Sequence, residues 1–302
     1  ALVASPLRID ERILHYLTGV QYLDQRLQPL MHAVNASGLL VPSHQCLIEQ
    51  IAQTWTQCLP GSPLPVIQLI GADGASLRTV ASETCQYLGL ELQELSAEAL
   101  PTDWQQLRTM QMLCEREYRL SRMAILLNCE DLDVEAAARK SAIATFIDTT
   151  NLPLIVTSRD RRRQRQRPLV TLEVNRPTST DQRSLWQSGL GDRAETWQSA
   201  IDALVSQFYL SPSAIHTVCL QGQAAGTLWN LCRTQARPRL DELAQRIEAR
   251  ATWDSLVLPE KEQHIIQEIS AHVAQRSRVY EDWGFGGRSG RGLGISALFS
   301  GA

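Results

Sequence analysis

Between a short apolar run, Pro65-Val66-Ile67-Gln68-Leu69-Ile70, and an apolar-periodic stretch from Leu77 to Leu88 lies Gly71-Ala72-Asp73-Gly74-Ala75-Ser76. A glycine turn between strand and helix is the setting of a phosphate loop, G-x-x-x-x-G-K-[ST]. There, backbone amides wrap the phosphates, a lysine reaches the outer ones and a hydroxyl holds magnesium. Counted from Gly71, Ser76 takes the place of the second glycine, Leu77 that of the lysine and Arg78 that of the hydroxyl. A one-residue slip offers Arg78 and Thr79 instead, but a planar guanidinium does not replace a compact ammonium in such a cradle. Lys140 and Lys261 are the chain's lysines, and neither follows a glycine-rich turn. The residues predict a nucleotide-fold turn that no longer binds nucleotide. Gly71, Gly74, Ser76, Arg78 and Thr79 are its vestigial contacts.

A second acidic position tells the same story. In nucleotide-hydrolysing folds a four-residue apolar strand ends in Asp-Glu, the aspartate holding magnesium and the glutamate polarising water. Here Leu126-Leu127-Asn128-Cys129-Glu130-Asp131 closes the apolar run Met123 to Leu127. Cys129 stands in the aspartate position, and a thiol is a poor ligand for hard magnesium. Glu130 is the vestigial catalytic carboxylate. Asp131 and Asp133 read as a solvated loop or as substitutes. No intact catalytic set and no metal site is expected.

Arg159, Arg161, Arg162, Arg163, Arg165 and Arg167 form the densest charge run, after a strand ending at Ser158. Like charges at that density favour an exposed, mobile loop. Three readings stay open: a solvated loop, a contact to an acidic partner or adjacent subunit, and phosphate binding on nucleic acid. No aromatic residue is interleaved for base stacking, which weakens the last.

Composition narrows the rest. A net charge of −3 gives no overall basic footprint, so nucleic acid is not the expected partner. Hydrophobic residues at 44% predict a packed core rather than disorder. No apolar run approaches the ~18–20 residues of a membrane span, and Ala1 to Pro6 lacks the charged and apolar regions of a signal peptide. The seven cysteines form no C-x-x-C pair, so buried, reduced thiols of a cytoplasmic protein are expected. His216 and His264 have no acid-base partner in the pattern. Trp186, Trp197 and Trp229 read as core or interface.

These residues need elements to hold them. The spacing of Ile13, Leu14, Leu17, Val20, Leu23, Leu27 and Leu30 predicts an amphipathic helix over Ile9 to Met31. A second is predicted over Ser43 to Cys58, with Ser43 as N-cap. Strands at 65–70, Glu91 to Leu95, 123–127, 152–158 and Leu169 to Val174 alternate with helices at 77–88, Trp104 to Arg119 and Val134 to Asp148. That alternation predicts an α/β fold, a parallel sheet flanked by helices. Helices follow at Thr196 to Phe208, at Ser211 to Leu220 with Ser211 as N-cap, and at 229–233, 239–249 and 259–283. A glycine- and arginine-rich stretch then leads to a strand at Ile295 to Phe299. The expected organisation is a helical N-terminal region over 1–62, an α/β core over 63–176, a helical lid over 177–236, and a linker with further structure over 237–302.

In that order of features the sequence resembles the AAA (AAA+) ATPases. Over about residues 64–235, the Gly71 turn looks like a decayed P-loop and Leu126 to Glu130 like a decayed Walker B strand. Leu154 to Ser158 is similar to the sensor strand, which normally ends in asparagine. The arginine run falls where the family carries its arginine finger. Pro177, Arg183 and Trp186 look like the entry to the helical lid, and Phe208-Tyr209-Leu210-Ser211-Pro212 sits inside it. Further on, Ala251 to Pro259 looks like the linker that introduces an AAA module. Gly294 to Gly301 looks like the strand and first glycine, Gly301, of an intact P-loop.

The resemblance implies a tandem ATPase of which this is the N-terminal piece, an unproductive first module cut before an active second one. The layout is similar to AAA ATPases that accompany bacterial contractile injection systems. It implies ATP and Mg2+ for the parent protein, hydrolysis coupled to remodelling of a protein substrate, and a homo-oligomeric ring, possibly a hexamer. For this chain it implies a non-catalytic role in assembly, regulation or partner docking. The alternative is a nucleic-acid-binding module built on Arg159 to Arg167.

Overall fold

The computed structural model describes residues 9–34, 40–59, 62–130, 137–161, 166–222, 224–236, 252–275, 279, 283–285 and 294–300. The calls on Asp131, Asp133, Arg162, Arg163, Arg165, residues 239–249 and Gly301 lie outside them.

The chain starts with α1 (Glu11–Leu17), β1 (Met31–Ala33) and α2 (Pro42–Thr56). The helix expected over Ile9 to Met31 is corrected to the short α1. Gly19 turns the chain at φ +83°, and Pro29 has no N–H to continue a helical ladder. Leu23, Leu27 and Leu30 still face the core, but from turns. In α2 the N-cap is Val41, with Pro42 in the first turn, and not Ser43.

The α/β layer follows as β2 (Val66–Ile70), α3 (Gly74–Tyr87), β3 (Glu91–Ser96), α4 (Trp104–Ser121), β4 (Met123–Asn128), α5 (Ala137–Thr149), β5 (Leu154–Ser158) and β6 (Leu169–Glu173). Carboxylate caps start the helices where the sequence supplies them: Asp73 for α3 and Asp103 for α4 each accept a backbone N–H from their own first turn. α3 thus begins three residues before Leu77. The strands lie in the order β1-β3-β4-β5-β2-β6, all parallel except β1, which is antiparallel to β3. β2, β4 and β5 are buried on both faces, in keeping with their largely apolar sequences, and Gln68 and Thr157 are buried polar exceptions. One core packs α4 and α5 on one face, through Leu107, Met110, Ile143 and Phe146. The other packs α2 and α3 on the opposite face, through Ile51, Leu77, Val80 and Ala81.

From β2 the chain crosses to β3, three places away, returns through β4 and β5, and then passes β2 to reach β6. β2 is therefore a topological switch point, and the crevice beyond its C-terminal end is where open α/β sheets bind ligands. The Gly71 turn lies there.

Next come α6 (Ser179–Leu190), α7 (Arg193–Thr196), α8 (Gln198–Gln207), α9 (Pro212–Gln221) and α10 (Ala225–Gln235), around a third core that holds Trp186, Ile201, Ile215 and Leu228. Thr178 and Asp181 form a capping box on α6, and Ser211 caps α9 with Pro212 in its first turn, as expected. Val41, the N-cap of α2, is fully buried in this third core, so the N-terminal region ties core to lid.

α11 (Glu260–Ala274) has no buried residue and ends before the predicted Trp283. The strand expected over Ile295 to Phe299 is also corrected. Residues 295–300 take no regular structure and pair with no strand of the described residues, with Leu298 94% exposed.

Candidate functional site

The crevice at β2 is built from the ends of four elements. Gly71 leaves β2 beside Val174, whose N–H donates to the Ile70 carbonyl at 2.7 Å. A Cβ on Gly71 would stand 2.8 Å from the Val174 carbonyl oxygen. The glycine is thus explained by backbone packing between β2 and the end of β6.

The N-terminus of α3 carries its own anion. Asp73 accepts the Ser76 N–H at 3.2 Å and also the Ser76 hydroxyl. Its carboxylate sits where the unsatisfied N–H groups and the dipole of a helix favour negative charge. Ser76 is 4% exposed and faces Asp73, not the crevice. Leu77, in the lysine position, is fully buried in the core between α3 and the sheet. The Thr79 hydroxyl donates to the Ala75 carbonyl at 3.0 Å, one turn back on its own helix.

Arg78 turns to the sheet. Its Nε and Nη2 reach Glu94 on β3 at 3.0–3.1 Å, a two-pronged guanidinium–carboxylate contact. Asn128, closing β4, donates Nδ2–H to Glu94 Oε1 at 2.8 Å and accepts the Glu130 N–H on Oδ1 at 3.0 Å. Asn128 therefore aims Glu130 back at α3. A Cβ on Gly74 would collide with Glu130 Oε2 and lie 3.2 Å from Arg78 Nη1. Gly74 leaves room for this carboxylate at the helix start. Glu130 Oε1 is buried with no hydrogen-bond partner among the described residues, and so is the hydroxyl of the fully buried Thr157 on β5. Cys129 lies in the opposite core, its N–H donating to the Thr157 carbonyl at 2.9 Å.

Of the predicted site residues, Gly74, Ser76, Arg78 and Glu130 meet around the start of α3. Gly71 and Thr79 adjoin them without facing the crevice. Asp73, Glu94 and Asn128 were missed. Glu94 had a signal: in Glu91–Ser96 it shares a face with buried Leu92, and a carboxylate on an inward face requires a partner.

Across the crevice lies the lid. Ala72, Asp73, Arg176, Pro177, Tyr209 and Ser211 line a cleft of about 290 Å³. The Tyr209 hydroxyl donates to the Pro177 carbonyl at 2.9 Å, and the Arg176 guanidinium lies 5.6 Å from the Tyr209 ring centroid. His44 on α2 contacts the Asn175 carbonyl at 2.9 Å, so the core–lid junction is closed by side chains.

ATP with Mg2+ does not fit this crevice. The ammonium position is an apolar, buried leucine, the anion position is held by Asp73, and the magnesium position is a thiol in the far core. Among the described residues no group of three or more His, Cys, Asp or Glu could hold a metal ion.

The arginine run needs one correction. Arg167 was expected in the exposed loop, yet it is 5% exposed. Its guanidinium donates to the Leu64 carbonyl at 2.6 Å, to that of Leu152 at 2.7 Å and to that of Thr150, fixing the starts of β2 and β5. Burial pulls its pKa down to about 10, against the opposing pull of the Glu115 carboxylate, so it stays charged at neutral pH. Sequence charge alone cannot separate one buried arginine from its exposed neighbours. Arg159 and Arg161 are exposed. The loop's first residues are also held: the Asp160 carbonyl accepts from buried Gln68 Nε2 at 3.1 Å and from the Ser158 hydroxyl at 2.8 Å.

Residues 178–238, from the N-cap of α6 through α10, match the family described as "Contractile injection system ATPase helical domain". No curated protein matches the chain. Among solved structures it is similar to one titled "Structure of C. elegans PCH-2", with 12% identity, a TM-score of 0.44 and coverage of 74% of this chain and 73% of that one. Likeness at that level is not evidence for an activity. Residues 178–238 are thus similar to the helical domain of contractile injection system ATPases, and they follow a mostly parallel α/β sheet.

Proposed function

We propose that this chain is a non-catalytic AAA-like module of a tandem ATPase. In this reading it serves assembly, regulation or partner docking, while ATP and Mg2+ are bound and hydrolysed elsewhere in the parent protein. The observation that carries the reading is Leu77. At the position where a phosphate loop needs its lysine, the side chain is apolar, fully buried and part of the sheet core.

The rest of the AAA-like architecture is preserved around that loss. Val41, His44 and Tyr209 join core to lid, and a joined pair of this kind supports the reading that copies could pack in a ring. A homo-oligomeric ring in the cytoplasm, acting on a protein substrate, is the setting that this reading assigns. Among the described residues no helix is long and apolar enough to cross a membrane. The nucleic-acid alternative is weakened, because Arg167 is committed to main-chain carbonyls and not to a partner.

The test has two parts. Incubated with Mg-ATP, the purified chain should release no phosphate above a protein-free blank. Light scattering after size exclusion should give a mass above the 33.7 kDa protomer, unchanged by Mg-ATP. Phosphate release that Glu130→Gln abolishes, or a monomer at every concentration, would overturn the reading.

A further inference from the structure

The failure of ATP to fit has a specific form. The crevice is not simply short of a lysine; the chain's own charges stand in it. Asp73 holds the N–H and hydroxyl of Ser76 at the start of α3. Glu130 presses against Gly74, the next residue, with one oxygen buried and lacking a hydrogen-bond partner among the described residues. Two carboxylates therefore converge on the helix start that an incoming polyphosphate would need. The guanidinium nearest that point, Arg78, already grips Glu94, and Asn128 links the same Glu94 to the backbone of Glu130.

We propose that the phosphate position of this fold is filled from within. Asp73 and Glu130 act as a built-in anion, and the Arg78–Glu94–Asn128 cluster holds α3, β3 and β4 in the arrangement that a bound nucleotide would otherwise stabilise. The physical basis is like-charge exclusion. A triphosphate entering the crevice meets two carboxylates with no compact cation between them. On the lid side, Tyr209 and Arg176 close the cleft at about 290 Å³, at the lower limit of the ~300–1,000 Å³ typical of ligand pockets. The module's core and lid therefore keep one relative arrangement whether ATP is present or absent. This extends the non-catalytic reading above by naming what silences the site.

The charges can be removed without dismantling the fold. Asparagine caps a helix as well as aspartate, and glutamine has the shape of glutamate, so Asp73→Asn with Glu130→Gln deletes both charges and keeps the hydrogen-bonding frame. Calorimetric titration compares this double variant with the unaltered chain, using Mg-ATP and, separately, inorganic phosphate; circular dichroism checks the fold. The unaltered chain should give no binding heat up to millimolar ligand, and the double variant should bind at least one of the two ligands tenfold or more tightly. Micromolar binding of Mg-ATP by the unaltered chain overturns the proposal. So does a folded double variant that binds no better than its parent, because loss of the lysine would then account for the silence alone. Binding is read here and turnover with mass above, so the two proposals can fail separately.

Discussion

Arg12 of α1 donates Nε–H to Glu117 of α4, 105 positions further along the chain, at 3.0 Å, with both side chains 1% exposed. The same guanidinium donates to Ser121 Oγ at 2.8 Å and lies 5.3 Å from the Tyr22 ring centroid. This pair fastens the N-terminal segment to the outer helix of the sheet. Truncating one member of a buried pair strands the other charge, at a cost of about 3–5 kcal/mol. Glu117→Ala should lower unfolding stability by that amount, measured by urea denaturation. Replacing both, Arg12→Met with Glu117→Leu, should cost less than either single truncation.

Asp24 belongs to the same cluster and gives it a pH dependence. Hydrogen bonds from Arg26 hold its carboxyl below the ordinary carboxylate range, overcoming the opposing effect of burial, and Arg116 adds to the pull. A depressed carboxylate contributes stability that is complete above the unfolded value of ~3.9 and is lost as pH falls through the folded value. Melting temperature should therefore fall below about pH 4. In Asp24→Asn the chain should melt lower at pH 7 and lose part of that acid limb. An identical acid limb in variant and parent would remove Asp24 from the account.

Arg167 and Arg161 should part company on substitution. Arg167→Met leaves three main-chain carbonyls at the starts of β2 and β5 without their donor, which should cost about 3 kcal/mol or more, since each buried group left unsatisfied costs ~1–3. Arg161→Ser alters an exposed side chain and should stay within ~0.5 kcal/mol. Denaturant midpoints of the two variants decide it.

The thiols divide in the same way. Burial pushes Cys85, Cys114 and Cys232 up to about 12 and Cys219 up to about 11, so none is a nucleophile at neutral pH. Cys46 is exposed and Cys58 half-buried. Brief treatment of the native chain with iodoacetamide should modify Cys46 and Cys58, and denaturant should release the remaining five for labelling, as counted by intact mass.

Much of this architecture is written in local pattern. The largely apolar runs of β2, β4 and β5 and the caps at Ser211 and Asp10 are decided within a few residues of themselves. The Gly71 turn is legible for the same reason, and that a leucine and not a lysine stands at position 77 needs only counting. The site's polar frame was less so. Arg78 is 16 residues from Glu94, and Asn128 is 34 from it, so their contacts exist only once β3 and β4 lie side by side. Arg167 reaches Leu64 across 103 residues, and no periodicity within an arginine run marks which member turns inward. Apolar spacing alone overstates the first helix, because Pro29 interrupts the ladder and turns can direct leucines to a core as well as a helix can.

The three residues of β1 have a consequence out of proportion to their length. Met31, His32 and Ala33 pair with Leu95, Glu94 and Gln93, and Val34 N–H reaches the Leu92 carbonyl at 3.0 Å, so this segment hems the outer border of β3. A bare strand border is a template on which any extended chain can crystallise into fibre-like stacks. β1 becomes the border in its turn, but at three residues it is a selvage too short to stitch onto, and trimming it away would lay bare the six residues of β3.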